Sequence, residues 1–345
     1  MNTTIANCFS KSYREAREKF LEASQKRGAR LHAHVIPGRQ GRLGETLATD
    51  VAWWGREDAG KLLIVTSAVH GVEGFCGSGC QVALLSDDAL LSRAEELDVA
   101  VAVVHAVNPH GFSHGRRVNE DNVDVNRNFV AFTGSLPGNE AYAHLSPLLL
   151  PERWPPDGPT AAELAARIDK EGASAYGQAL FRGQYQAPDG MFYGGSGPTW
   201  SNRTLHAVMA GHLAHATDVT CIDFHTGLGP YGHGDLISDH EPGTDAARRV
   251  RQFWGDGVSE SRRGQTLPLV QDGPTHFGVT RALPHARVTF GTLEFGTYER
   301  DAGRVALRAD HWLHRHGDPR GPQAAPIKQA LRRQFYPDTA DWKEA

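Results

Sequence analysis

Apolar residues gather in four short runs. Residues 61–69 (KLLIVTSAV) and 98–107 (DVAVAVVHAV) are continuous and rich in β-branched side chains, as are 218–224 (DVTCIDF) and 287–295 (RVTFGTLEF). Runs of that length without polar alternation predict strands buried on both faces. Between the first two lies 74–86, with Val82, Leu84 and Leu85 on an apolar side, which predicts a helix. Strand, helix, strand in that order predicts a parallel sheet covered on both faces. Helical spacing also predicts helices over 11–27, 160–182 and 202–216, and from Ala302 onward with a Pro/Gly break near 317–326. Residues 133–160 are dense in Pro, Gly and small polar residues, which predicts an irregular insertion inside one α/β domain spanning 1–345. No internal repeat is visible.

Composition narrows the classes. In 345 residues, 40% are hydrophobic and 22% charged, enough apolar material for a sizeable core. A net charge of -4 with no long Lys/Arg run gives no support to nucleic-acid or membrane-surface binding. The N-terminus has no apolar stretch of signal-peptide length, and nothing approaches a membrane span, so a soluble cytoplasmic protein is expected. Cys8, Cys76, Cys80 and Cys221 fit free thiols in a reducing compartment. Cys76 and Cys80 lack a second pair to complete a zinc ribbon.

The strand ends carry the chemistry. HGVEG follows the first strand and puts His70 and Glu73 three apart among glycines; Asp223 and His225 close the third strand, and Glu294 lies in the fourth. In open α/β sheets the ligand crevice lies beyond the carboxyl ends of strands, where these groups can converge. Two imidazoles and a carboxylate are a donor set for a catalytic zinc with one position left for water. On His70 and Glu73 alone the favoured reading is a histidine that caps the strand on a backbone carbonyl. Residues 108–129 (NPHGFSHGRRVNEDNVDVNRNF) add Arg116, Arg117, Asn126 and Arg127, whose guanidinium groups suit carboxylates and developing oxyanions.

HGVEG, NPHGF, VDVNRNF, DFHTG and TLEFGT occur in the order seen in zinc carboxypeptidases. Over roughly residues 60–300 the chain resembles that carboxypeptidase A-like superfamily, which also holds the aspartoacylase and succinylglutamate desuccinylase deacylases. It is most similar to a little-characterised bacterial metallopeptidase branch. The resemblance implies a mixed, mostly parallel sheet of about eight strands flanked by helices, and one zinc ion per chain held by His70, Glu73 and His225. It implies that Asp124 orients the first histidine, that Asn126 and Arg127 clamp the substrate carboxylate, and that Glu294 is the general base. One of Arg116 or Arg117, with Arg117 preferred, matches the arginine that polarises the scissile carbonyl. The activity implied is hydrolysis of an amide bond next to a free carboxylate, on a peptide or, alternatively, an N-acyl amino acid. A catalytically inactive metal- or ligand-binding homologue is a further alternative, and the oligomeric state stays open.

Two departures bear on the substrate. The tyrosine that the family carries before its general base is missing from LVQDGPTHFGVTRALP, leaving Tyr231, Tyr298 or Tyr193 as stand-ins. Thr226-Gly227 stands where the family has Ser-Tyr after the last ligand. Other motifs fail on context. GREDAGK (55–61) precedes a strand and runs into Leu62, so it is no phosphate loop, and HExxH is absent.

Overall fold

In a computed structural model of the chain, residues 5–212, 214–264 and 270–345 are described. Eight strands form one sheet: β1 Arg30–Gln40, β2 Thr46–Trp54, β3 Lys61–Ser67, β4 Val99–His105, β5 Asp218–Thr226, β6 Gly234–Ser238, β7 Ser259–Glu260 and β8 Arg287–Phe295. Their order is β1-β2-β4-β3-β5-β8-β6-β7. The four central strands β4, β3, β5 and β8 run parallel, as does the β6/β7 pair, while β1/β2, β2/β4 and β6/β8 pair antiparallel. The four strands predicted from apolar runs are those four central ones.

Alternation along these strands sorts their side chains into two cores. Leu62 and Ile64 of β3, with Ala102 and Val104 of β4, pack against Leu205, Val208 and Met209 of the helix Trp200–His212. Val65, Val101 and Val103 face the other way, onto Phe75, Val82 and Leu85 of the helix Gly74–Ser86 and Tyr13 and Phe20 of the helix Tyr13–Lys26. A side chain such as Ile64, fully buried, contributes roughly 1.5–3 kcal/mol to burial. Among the described residues, no helix is long and apolar enough to cross a membrane.

Three expectations are corrected. The segment 133–160 is not irregular throughout, because Glu140–Leu149 is helical, capped by the Asn139 side chain on the Tyr142 amide, and buries Tyr142, Leu145 and Leu149. Residues 160–182 form two helices, Gly158–Glu171 and Ala173–Phe181, separated at Gly172, whose φ of 85° favours glycine. The helix expected over 202–216 spans Trp200–His212, and residue 213 lies outside the described residues.

The chain leaves β3 for β4 on one side, while β5 lies on the other. That reversal opens a crevice at the carboxyl ends of β3 and β5.

Candidate metal and active site

The turn after β3 explains the glycines of HGVEG. His70 is extended (φ -92°, ψ 116°), and Gly71–Glu73 then makes one 3₁₀ turn into the helix Gly74–Ser86. Side chains three apart stack in such a turn, so His70 and Glu73 point the same way. His70 Nδ1 lies 2.9 Å from Glu73 Oε1. The Gly71 and Val72 amides donate to the carbonyls of Arg117 and Arg116, at 3.0 and 2.8 Å. A Cβ on Gly71 would meet the Gly111 carbonyl carbon at 2.1 Å, so glycine is required for this approach. NPHGF supplies the other side. The Asn108 side chain accepts from the Gly111 amide at 2.8 Å and starts the helix Pro109–His114, which ends at Gly115 in the left-handed region.

His225 comes in from the end of β5. Its Nδ1 is 3.2 Å from His70 Nδ1 and 3.1 Å from Glu73 Oε2. Each outer nitrogen meets a carboxylate: His225 Nε2 is 2.9 Å from Asp223 Oδ2, and His70 Nε2 is 3.2 Å from Asp124 Oδ1. Asp223 also accepts from the Thr66 hydroxyl at 2.7 Å, and Asp124 from the Arg117 Nε at 3.0 Å. For His225, whose outer nitrogen has only the carboxylate beside it, the inward Nδ1 is thereby left to act as a ligand, and His70 Nδ1 faces the same point. Zn–N bonds of about 2.0–2.1 Å place tetrahedral ligand atoms about 3.3 Å apart, close to the separations here. His70, Glu73 and His225 are buried, and they form the group that can hold a metal ion among the described residues.

Glu294 of β8 is the register partner of His225. Its Oε1 accepts from the Leu228 amide at 3.0 Å. Burial, reinforced by the Glu73 charge, pushes its carboxyl up to about 8. Burial also pushes Glu73 up, but His70 and His225 outweigh it and hold that carboxyl below its usual range. Burial lowers His225, yet Asp223 and Glu73 carry it well above the ordinary imidazole value. Asp124 is likewise held low, its burial outweighed by Arg117 and His70.

The two adjacent arginines part company. Arg117 turns to the cluster, with Nη1 3.2 Å from Glu73 Oε1 and Nη2 2.7 Å from His70 Nε2. Arg116 is not brought to it. Its buried guanidinium pairs with Asp310 at 3.1 Å and Asn122 at 3.1 Å. Each carbonyl of the pair is tied to the 71–72 backbone, so successive side chains leave on opposite sides.

Asp124 caps the 3₁₀ turn Val125–Arg127, which carries Asn126 and Arg127 to the same cavity. The Asn126 carbonyl oxygen accepts from the Thr275 amide and hydroxyl, both at 2.8 Å, which leaves its NH₂ as a donor. Arg127 is 1% exposed and donates twice to the Phe181 carbonyl, at 3.0 and 2.6 Å. The cavity, of about 120 Å³, is lined by His70, Glu73, Arg117, Asn126, Arg127, His225 and Glu294 together with Ile237, Asp239, Ser261, Thr292, Arg300 and Arg304. No described tyrosine lines it, and Tyr231 spends its hydroxyl on Thr339. Asp223 was legible as a strand-end acid, and its place two before His225 put it on the same face. Nothing in the sequence marks Thr275, Phe181 or the Leu228 amide.

Solved structures share this architecture. The chain is similar to thrombin-activatable fibrinolysis inhibitor (TAFI), with a TM-score of 0.51 and 10% identity over 97% of this chain and 75% of that one. It is also similar to carboxypeptidase A from Helicoverpa armigera, with a TM-score of 0.47 and 12% identity over 97% of this chain and 76% of that one. An aspartoacylase family protein from Mesorhizobium loti matches with a TM-score of 0.35 and 14% identity over 83% of this chain and 66% of that one. The fold is shared with the structure of thrombin-activatable fibrinolysis inhibitor. No curated protein sequence matches. A family model matches residues 9–345, and the chain belongs to that family, described as "Protein of unknown function (DUF2817)".

Proposed function

We propose that this protein is a zinc-dependent hydrolase of an amide bond next to a free carboxylate, acting on short peptides or N-acyl amino acids. The observation that carries the reading is the meeting of His70 Nδ1, His225 Nδ1 and the Glu73 carboxylate within about one tetrahedral edge, beside Glu294, in a cavity that also holds Asn126 and Arg127. His70, Glu73 and His225 would hold the ion. When bound, zinc supplies Lewis acidity, acidifying water and polarising a carbonyl.

The chain's own groups do the rest. Glu294 takes a proton from the attacking water and returns it to the departing amide nitrogen, so one water is consumed and an acid and an amine are released. Its Leu228 contact fixes one oxygen and leaves the other to face the cavity. Arg117, anchored on Asp124 and Glu73, sets a guanidinium where negative charge grows on the carbonyl oxygen. The Asn126 NH₂ and the remaining Arg127 N–H donors grip the substrate's terminal carboxylate and align the bond. Asp124 and Asp223 keep the two imidazoles turned inward.

The test combines metal analysis with turnover. Purified protein supplied with zinc should hold one ion per chain and release amino acids from N-acyl dipeptides or N-acyl amino acids assayed side by side. Glu294→Gln should keep the metal and lose about 10²–10⁴ of the rate. A fully active Glu294→Gln, or zinc bound with no hydrolysis of either class, refutes this function.

A further inference from the structure

The loop that follows β5 is soft by composition and held by its ends. Residues 227–233 read GLGPYGH, and Gly227, Gly229 and Gly232 sit at φ of 128°, 99° and 75°, conformations that glycine enters and leaves freely. The Leu228 amide is the part of this loop that reaches the base, on Glu294 Oε1 at 3.0 Å. The near end of the loop is fixed by the sheet, because the Gly227 amide donates to the Phe295 carbonyl at 3.0 Å, next to the last β5/β8 pair. The far end closes on Gly296, two residues after Glu294. The Gly232 amide donates to the Gly296 carbonyl at 3.0 Å, and the Gly296 amide to the His233 carbonyl at 2.9 Å. Glycine is required at 296, since a Cβ there would meet the Pro230 carbonyl oxygen at 1.9 Å.

A second donor reaches the same carbonyl from a distant part of the chain. After the helix Ala324–Phe335 the chain runs on to the helix Ala340–Glu344, which carries Trp342. This side chain is buried, packs edge-on to Tyr336, and donates its indole Nε1–H to the Gly296 carbonyl at 2.7 Å. The same stretch is tied to the loop region twice more. The Thr226 hydroxyl donates to the Phe335 carbonyl at 2.7 Å, and the Tyr231 hydroxyl lies 2.8 Å from that of Thr339. A buried indole N–H takes an acceptor in most folds; here the acceptor is the carbonyl that closes the loop beside the base.

We infer that Trp342 is a positioning residue for Glu294. Its N–H fixes the peptide plane that follows Gly296, and that plane fixes the far end of the 227–233 loop. The loop in turn presents the Leu228 amide that pins one oxygen of the base. Without the indole donor the Gly296 carbonyl keeps only the Gly232 amide, and the glycines between the two ends let Leu228 shift. The role of Glu294 rests on the hydrolase reading; the tethering of the loop does not.

Trp342→Phe is the test. It keeps a buried ring, removes the donor, and orphans no acceptor, because the Gly296 carbonyl still receives the Gly232 amide. Hydrogen–deuterium exchange, followed by mass spectrometry on the zinc-supplemented protein, should be about 3- to 10-fold faster in peptides spanning 226–233, with β5 and β8 unchanged. In amide hydrolysis kcat should fall about 10-fold, less than the ~10²-fold that a 1 Å misplacement can cost, with KM and zinc affinity held within about twofold. In a Glu294→Gln background the same change should alter the residual rate by less than about twofold, because the two residues act as one unit.

Unchanged exchange over 226–233 overturns the assignment. So does a kcat loss of equal size in both backgrounds, or a loss confined to KM or to zinc affinity, since each places the effect of Trp342 somewhere other than Glu294. Should Trp342→Phe fail to fold, Tyr231→Phe decides: it cuts the tie to Thr339 at an exposed position and should loosen the same peptides, and unchanged exchange there overturns the tether. Faster exchange in Trp342→Phe, with no amide cleaved by the wild type, supports the tether and sinks the hydrolase reading alone.

Discussion

Replacing Asp223 by Asn tests how the second imidazole is aimed. Asp223 and His225 alternate along β5 and leave the same face of the strand. One Asp223 oxygen lies 2.9 Å from His225 Nε2 and the other accepts the Thr66 hydroxyl at 2.7 Å, so the carboxylate serves two donors at once. An amide of the same shape has a single acceptor oxygen. In Asp223→Asn either Nε2–H keeps its partner and Thr66 must turn its hydroxyl, or the imidazole faces an NH₂ and is pushed to the wrong tautomer. The negative charge that raises the basicity of the ring is lost in both cases. Removing such a partner costs about 10- to 100-fold in metal affinity. That is about 1.4–2.7 kcal/mol. Asp223→Ala should cost more, since the buried Nε2–H is left without any acceptor. Competition with a chromogenic zinc chelator reads the affinity directly, with far-UV circular dichroism as the check on folding. If both variants bind zinc within about twofold of the wild type, His225 does not present Nδ1 to a metal and the proposed centre is wrong.

Other outcomes follow from the same contacts. Arg117→Ala should lower kcat/KM by about 10²-fold or more, because the guanidinium faces the cavity. Arg116→Ala should instead lower stability by about 1–3 kcal/mol in urea unfolding with little change in KM, since it strips one partner from buried Asp310 while Lys328 remains. Gly71→Ala should abolish metal binding or folding, as its methyl would collide with the Gly111–Phe112 backbone; a variant with normal metal affinity contradicts that packing. Burial lowers the imidazoles of His105 and His276 to about 4 and that of His311 to about 3. Their folded values lie below the unfolded value, so the stability they confer is present above pH ~6.5 and is lost as pH falls towards ~4, by about 1.4 kcal/mol per unit for each. Glu294 and His225, both raised, act in the opposite sense, while His110, His240 and His314, lowered by burial to about 3, 4 and 3, add to the loss and leave it the larger effect in metal-free protein. Chemical unfolding at pH 7.5, 6 and 5 measures the slope, and flat stability over that range refutes it.

The central sheet was readable because β3, β4, β5 and β8 are buried on both faces and therefore almost unbroken in their apolar character. β1 was not. RLHAHVIPGRQ is an edge strand whose residues are mostly exposed, so its composition is that of a loop. β6 and β7 are too short for periodicity to speak. The helix Glu140–Leu149 escaped because Pro147 inside it and the Pro-rich stretch after it resemble loop punctuation. At the site, His70, Glu73, His225 and Glu294 stood out as ionisable groups at the ends of apolar runs. Choosing between Arg116 and Arg117 required knowing which way two consecutive side chains turn, and that is decided by carbonyls pairing with the amides of Gly71 and Val72.

The pairing of His225 with Glu294 across β5 and β8 has an evolutionary consequence. Their spacing is a repeat distance of the sheet, inherited from the backbone and indifferent to what the surrounding loops become. The residues at the far end of the cavity sit at the tip of a short strand and on the segment after β7, where replacement disturbs no central pairing. Descendants of such a chain can exchange one clientele for another by point changes there, while the reacting pair remains as invariant as the weave that carries it.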